Sequence, residues 1–111
     1  MLKDEWVCIW VNHPVYPVIY AAWQDEFDLV MDSQPSSKAI EIVNVVNPLV
    51  EVIRGRDIFL TRIQETYFKP QGVLPLRVSG IQSIIKLKKG TDFLKKIEEA
   101  IPGKEVKIKS F

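Results

Sequence analysis

Trp6-Val7-Cys8-Ile9-Trp10-Val11 is apolar at every position. In an extended chain successive side chains alternate, so Trp6, Cys8 and Trp10 point one way and Val7, Ile9 and Val11 the other. Two apolar faces predict a central strand covered on both sides, or a strand with one face given over to binding. Asn12-His13-Pro14 ends it.

From Pro17 to Asp32 two patterns compete. Wound as a helix, the segment places Ile19, Trp23, Phe27, Val30 and Met31 on one face with Gln24, Asp25 and Asp28 opposite, and Pro17 suits a first helical turn. Read as a hairpin, Val18–Trp23 and Phe27–Met31 are strands around Gln24-Asp25-Glu26. The long stripe favours the helix. Residues 32–37 follow as a polar loop containing Pro35.

Strand patterns dominate the middle of the chain. Ala39–Val46 is rich in Ile and Val and is broken by Asn47-Pro48, because the residue before proline avoids helix and proline lacks a ladder donor. Leu49–Arg54 is a second strand, and Gly55-Arg56-Asp57 turns the chain. Ile58–Phe68 alternates as a half-buried strand does. Lys69-Pro70-Gln71-Gly72 is a turn. Val73–Val78 and Ile81–Leu87 are two strands, or one kinked at Ser79-Gly80.

The C-terminal pattern is the clearest. Thr91 is a candidate N-cap, with Asp92 at the positive end of a helix dipole. Phe93, Leu94, Ile97, Ala100 and Ile101 make one apolar face, and Pro102-Gly103 stops the helix. Glu105-Val106-Lys107-Ile108-Lys109 then alternates with lysines outward, as edge strands often do. The series predicts an α+β fold in one domain over residues 1–111, a mostly antiparallel sheet with two helices on one face. A ferredoxin-like arrangement with an inserted hairpin is the first expectation, and a small β-barrel capped by the C-terminal helix the second.

Composition narrows the class. Hydrophobic residues make up 47% of the 111 and charged residues 26%, which excludes a disordered, collagen-like or disulfide-scaffold chain. Thirteen Ile and thirteen Val agree with abundant strand. No apolar run approaches the ~20 residues of a membrane helix. The N-terminus lacks the pattern of a signal peptide. With a single cysteine, Cys8, these features predict a cytoplasmic, reducing setting.

Charge changes the picture more. The net is +1, yet residues 1–52 carry two Lys or Arg against eight acids and residues 53–111 carry thirteen against six. A basic C-terminal half is therefore the expected working face. Its candidate binding residues are Arg54, Arg56 and Arg62 about the Gly55 turn, Lys86, Lys88 and Lys89 before the last helix, and Lys104, Lys107 and Lys109 around the last strand.

Catalytic and metal chemistry find little support. Cys8 and His13 are the only soft or imidazole ligands, too few for a tetrahedral site, so no metal is expected. The serines sit in no Gly-x-Ser-x-Gly elbow. The scattered glycines form neither a phosphate loop nor a dinucleotide fingerprint, so no cofactor is expected. Asp57, Glu65 and Lys69 fall short of a metal-dependent nuclease pattern, since Thr66-Tyr67 follows Glu65. Arg54-Gly55-Arg56-Asp57-Ile58-Phe59 opens like an RNA-recognition motif without its aromatics, although Tyr67 and Phe68, or Trp6 and Trp10, can stack on unpaired bases. The expected function is a non-enzymatic protein-interaction, adaptor or inhibitor module that self-associates, its partner a protein or a second copy of itself. Nucleic-acid binding through the same basic face is the alternative.

Overall fold

The computed structural model describes residues 5–32, 41–63 and 72–111. The elements run β1 (Trp6–Val11), β2 (Val18–Ala22), α1 (Asp25–Asp32), β3 (Ile42–Val46), β4 (Leu49–Arg54), β5 (Asp57–Arg62), β6 (Val73–Arg77), β7 (Ile81–Lys86), α2 (Asp92–Ala100) and β8 (Val106–Ser110). Six strands form an open sheet in the order β7-β1-β2-β4-β5-β8, and β3 pairs with β6 in a second sheet. Every pairing is antiparallel. The fold is thus α+β with a mostly antiparallel sheet. It is not a closed barrel: β7 and β8 end the order instead of pairing.

The doubly apolar β1 lies between β7 and β2, and both its faces are used. One face of the sheet contributes Val7, Ile9, Val11, Ile19, Ala21 and Val50, closed over by Phe27 and Val30 of α1 and by Val43, Val45, Leu74 and Leu76 of the β3–β6 pair. The other contributes Trp6, Cys8, Tyr20, Leu49 and Leu60, closed over by Leu94, Ile97 and Ala100 of α2. The two helices therefore cover opposite faces, which corrects the expectation of both on one face. The element order also departs from the β-α-β-β-α-β run of a ferredoxin-like fold.

The helix favoured for residues 17–32 is corrected as well. Val18–Ala22 is extended and pairs with β1 from Trp6 opposite Ala22 to Trp10 opposite Val18. Only after Trp23-Gln24 does the chain wind into α1, where the Phe27 and Asp28 amides bond back to the Gln24 carbonyl. Asp25, Glu26 and Asp28 occupy the first turn, where the helix dipole favours carboxylates.

Several boundaries fall where the pattern puts them. Leu49–Arg54 is a strand in full, and Gly55, at φ +64°, turns it into β5. The proposed kink at Ser79-Gly80 is a single 3-10 turn over Val78–Gly80 that carries the chain from one sheet to the other. Thr91 precedes α2, but its hydroxyl donates to the Lys88 carbonyl (3.2 Å) instead of capping the helix. The expected continuation of β5 through Phe68 and the Lys69–Gln71 turn lie outside the described residues.

The centre of the large sheet is narrow. β2 and β4 meet through two residue pairs, Ile19 with Val50 and Tyr20 with Leu49. The sheet is thus two three-stranded ribbons, β7-β1-β2 and β4-β5-β8, joined at a short junction.

Candidate functional site

A cleft of about 550 Å³ lies over β4 and β5. Val50, Val52 and Thr61 line it from the sheet, with Tyr16, Pro48, Ile63 and Leu74 among the surrounding residues. Its volume is in the range of small-molecule pockets. Two of its three charged residues, however, are committed to each other: Arg54 Nη2 lies 2.7 Å from Glu105 Oε1, and Arg54 Nε donates to the same oxygen at 3.0 Å; Arg62 is the third. Hydrogen bonding to Glu105 raises the Arg54 pKa above its ordinary value. Among the described residues no group of three His, Cys, Asp or Glu side chains can hold a metal ion.

Cys8 and His13 are occupied separately. Burial first, then the nearby Glu51 carboxylate, push the Cys8 thiol up to about 11, against hydrogen bonds with Tyr20 and Trp10 that lower it. At neutral pH the thiol is protonated and a poor nucleophile. His13 Nδ1 accepts hydrogen bonds from the Val15 and Tyr16 amides (3.1 and 2.9 Å), which shapes the β1–β2 loop. Glu65, Tyr67, Phe68 and Lys69 lie outside the described residues.

Eight of the nine basic residues divide between the two edges of the sheet. Lys86 ends β7, and Lys88 and Lys89 follow it. Arg54 and Arg56 lie at the β4–β5 turn, near Lys107 and Lys109 of β8, with Lys104 just before that strand. The edges are five strand spacings apart, about 24 Å at ~4.8 Å each. Arg62 belongs to neither group: it stands opposite Leu49 at the far end of β5, and its buried Nε meets no acceptor among the described residues.

Neutralisation is also uneven. Arg54 is paired with Glu105, and Lys107 Nζ lies 3.4 Å from Asp57 Oδ1. Lys86 Nζ sits 4.3 Å from the centroid of the Trp23 ring, a cation–π contact. Arg56, Lys88, Lys89, Lys104 and Lys109 have no carboxylate partner among the described residues.

A different feature appears at the β7 edge. Cys8 stands opposite Ile85 and Trp10 opposite Ser83, so Trp10 and Ile85 are diagonal neighbours on the α2 face. Helix α2 packs toward β5 and β8 and reaches Tyr20 through Phe93 (centroids 5.0 Å apart). It leaves Trp10 44% and Ile85 52% exposed. The sequence marked Trp10 for a face but offered no way to tell whether a helix would cover it. In sequence Ile85 is one more apolar residue of a strand, with nothing to set it apart. Only the pairing of β7 with β1 brings the two together.

No protein-family model matches this chain, and no curated protein or solved structure matches it either.

Proposed function

We propose that the chain is a non-enzymatic protein-interaction module that self-associates, acting as an adaptor or inhibitor in a reducing, cytoplasmic setting. The observation that carries this reading is the pair of exposed apolar side chains, Trp10 and Ile85, beside an edge strand that carries no other strand on its outer side among the described residues. Tryptophan is a favoured interface anchor because it brings a large apolar area with little rotamer entropy to lose. Of the basic set, Lys88 and Lys89, which follow β7, supply the charged rim of the working face, while Lys86 turns to the opposite face of the sheet and rests on Trp23. Light scattering during size-exclusion chromatography tests the reading. Wild type is expected above 12.8 kDa at high concentration, and Trp10→Ala shifts it toward that mass. A wild type that remains at 12.8 kDa throughout removes the self-association.

Nucleic-acid binding is the second reading, favoured by the uncompensated charges of Arg56, Lys104 and Lys109 about the β8 edge. Phosphate contacts make affinity fall steeply with salt. Titration of single- and double-stranded nucleic acid from low to high salt, with Arg56→Gln and Lys109→Gln alongside, tests it. Absence of binding at low salt eliminates this reading.

A further inference from the structure

We infer that β7 is the seam of a symmetric dimer, in which β7 of one copy pairs antiparallel with β7 of a second copy and Ile85 stands opposite Ile85. The inference rests on the interaction-module reading and names the occupant of that surface.

The argument begins with the backbone. Leu87 N–H donates to the Trp6 carbonyl at 2.8 Å, so Leu87 directs its polar groups toward β1. Antiparallel ladders alternate, so Ile85 does the same while Ile84 and Lys86 direct theirs outward. Among the described residues no strand or loop pairs with that outer side. An edge with free donors and acceptors is a template for another strand.

The side chains then choose the edge and the register. On β8, a two-fold antiparallel pair sets Lys107 against itself or against Lys109, and like charges opposite one another are unfavourable. On β7, Ile81-Gln82-Ser83-Ile84-Ile85-Lys86 carries no charge before its last residue. With Ile85 on the axis, Ile84 exchanges hydrogen bonds with Lys86 of the second copy, and no lysine faces a lysine. The Ile85 pair buries the most exposed apolar residue of the strand, with a Trp10 diagonal to it in each copy.

Charge at the strand ends agrees. Antiparallel pairing carries Lys88 and Lys89 toward the start of the second β7. There the exposed Glu41 is held through its carbonyl by the Val78 amide (3.0 Å). By symmetry this basic-to-acidic approach occurs twice.

Sedimentation equilibrium on the full chain, with site-directed cross-linking, tests the pairing. Lys86→Pro deletes an outward N–H and is expected to weaken the dimer at least tenfold, whereas Lys86→Gln keeps the donor and the dimer. Ile85→Lys opposes two charges on the axis, so its dimer is lost at low salt and partly returns at high salt. Cross-linking is done in a Cys8→Ala background, because Cys8 stands directly opposite Ile85 within one copy. There Ile85→Cys is expected to give a disulfide dimer, since facing residues lie about 4.5–5.5 Å apart. Ser83→Cys is expected to give none, its copies being offset by four residues, about 13 Å. If Lys86→Pro fails to fold, the two cysteine variants still decide. A dimer that ignores Lys86→Pro, or cross-links as readily through Ser83→Cys, overturns the strand pairing. If that dimer is still lost in Trp10→Ala, the interaction-module reading stands without it; a monomeric wild type overturns both the seam and the self-association.

Discussion

The Tyr20 hydroxyl donates a 3.0 Å hydrogen bond to Glu51 Oε1, from β2 to β4, beside the two residue pairs that join the halves of the sheet. Burial, and then the neighbouring carboxylate, drive the Tyr20 pKa upward, so the hydroxyl keeps its proton and remains a donor. Tyr20→Phe leaves Glu51 without this partner and is expected to cost about 1–2 kcal/mol. The measurement is urea unfolding, with a lower midpoint at unchanged slope. Glu51→Gln, which still offers an acceptor oxygen, costs less.

Alkaline pH acts on the same region. The Cys8 thiol rises from 9.0 to about 11 on folding, chiefly through burial. Below pH 9 both folded and unfolded thiols are protonated and the contribution is complete. Between pH 9 and 11 only the unfolded thiol has lost its proton, so stability falls by up to about 1.4 kcal/mol per pH unit from this group. Tyr20 shifts in the same direction. Cys8→Ala is expected to flatten the decline, read as unfolding midpoints at pH 8, 9.5 and 10.5. In the folded wild type, Cys8 resists alkylation at pH 8 and reacts once urea unfolds the chain.

Gly72 and Asn47 constrain each other at the rim of the cleft. The Asn47 amide donates to the Gly72 carbonyl, and both residues have positive φ, +48° at Asn47 and +73° at Gly72. A Cβ on Gly72 would collide with Asn47 Oδ1. Gly72→Ala is expected to destabilise by about 1–2 kcal/mol or more through backbone strain and this clash. Asn47→Gly removes the obstructing side chain and is expected to restore part of the loss, as a double-mutant cycle in thermal unfolding would measure.

At the other edge, Asp57 ties β8 to the β4–β5 hairpin. Its carboxylate accepts from Ser110 Oγ at 2.8 Å and faces Lys107, and these contacts hold its pKa below the ordinary 3.8, the Ser110 bond being the largest cause. Ser110→Ala is expected to move the Asp57 titration, followed by carboxyl NMR shifts, back toward 3.8. The depressed value means the contact supports folding above pH 3.8 and is lost as pH falls through the folded pKa. Lys107→Gln has a smaller effect.

Local pattern carried much of this architecture. Alternation and turn residues marked β1, β4 and β8 and the hairpin at Gly55, and apolar spacing with Pro102-Gly103 marked α2. The helical stripe across residues 17–32 misled for a specific reason. Ile19, Phe27 and Val30 do share one destination, the core between the sheet and the β3–β6 pair. They reach it from a strand and a helix, which spacing alone does not separate. The basic residues were legible as a set, but their division was not. It follows from β7 pairing with β1 and β8 with β5, contacts between residues far apart in the chain.

The short β2–β4 junction has a thermal consequence. Two rungs of hydrogen bonding hold the ribbons together, and the rest of their cohesion comes from apolar side chains that straddle the gap, Ile19 and Val50 on one face, Tyr20 and Leu49 on the other. Water takes up such groups more readily in the cold, while the ladders within each ribbon are less affected. Chilling, more than warming, is therefore expected to part the two ribbons before either frays, and amide exchange near 0 °C would register it first at Tyr20, whose N–H faces β4.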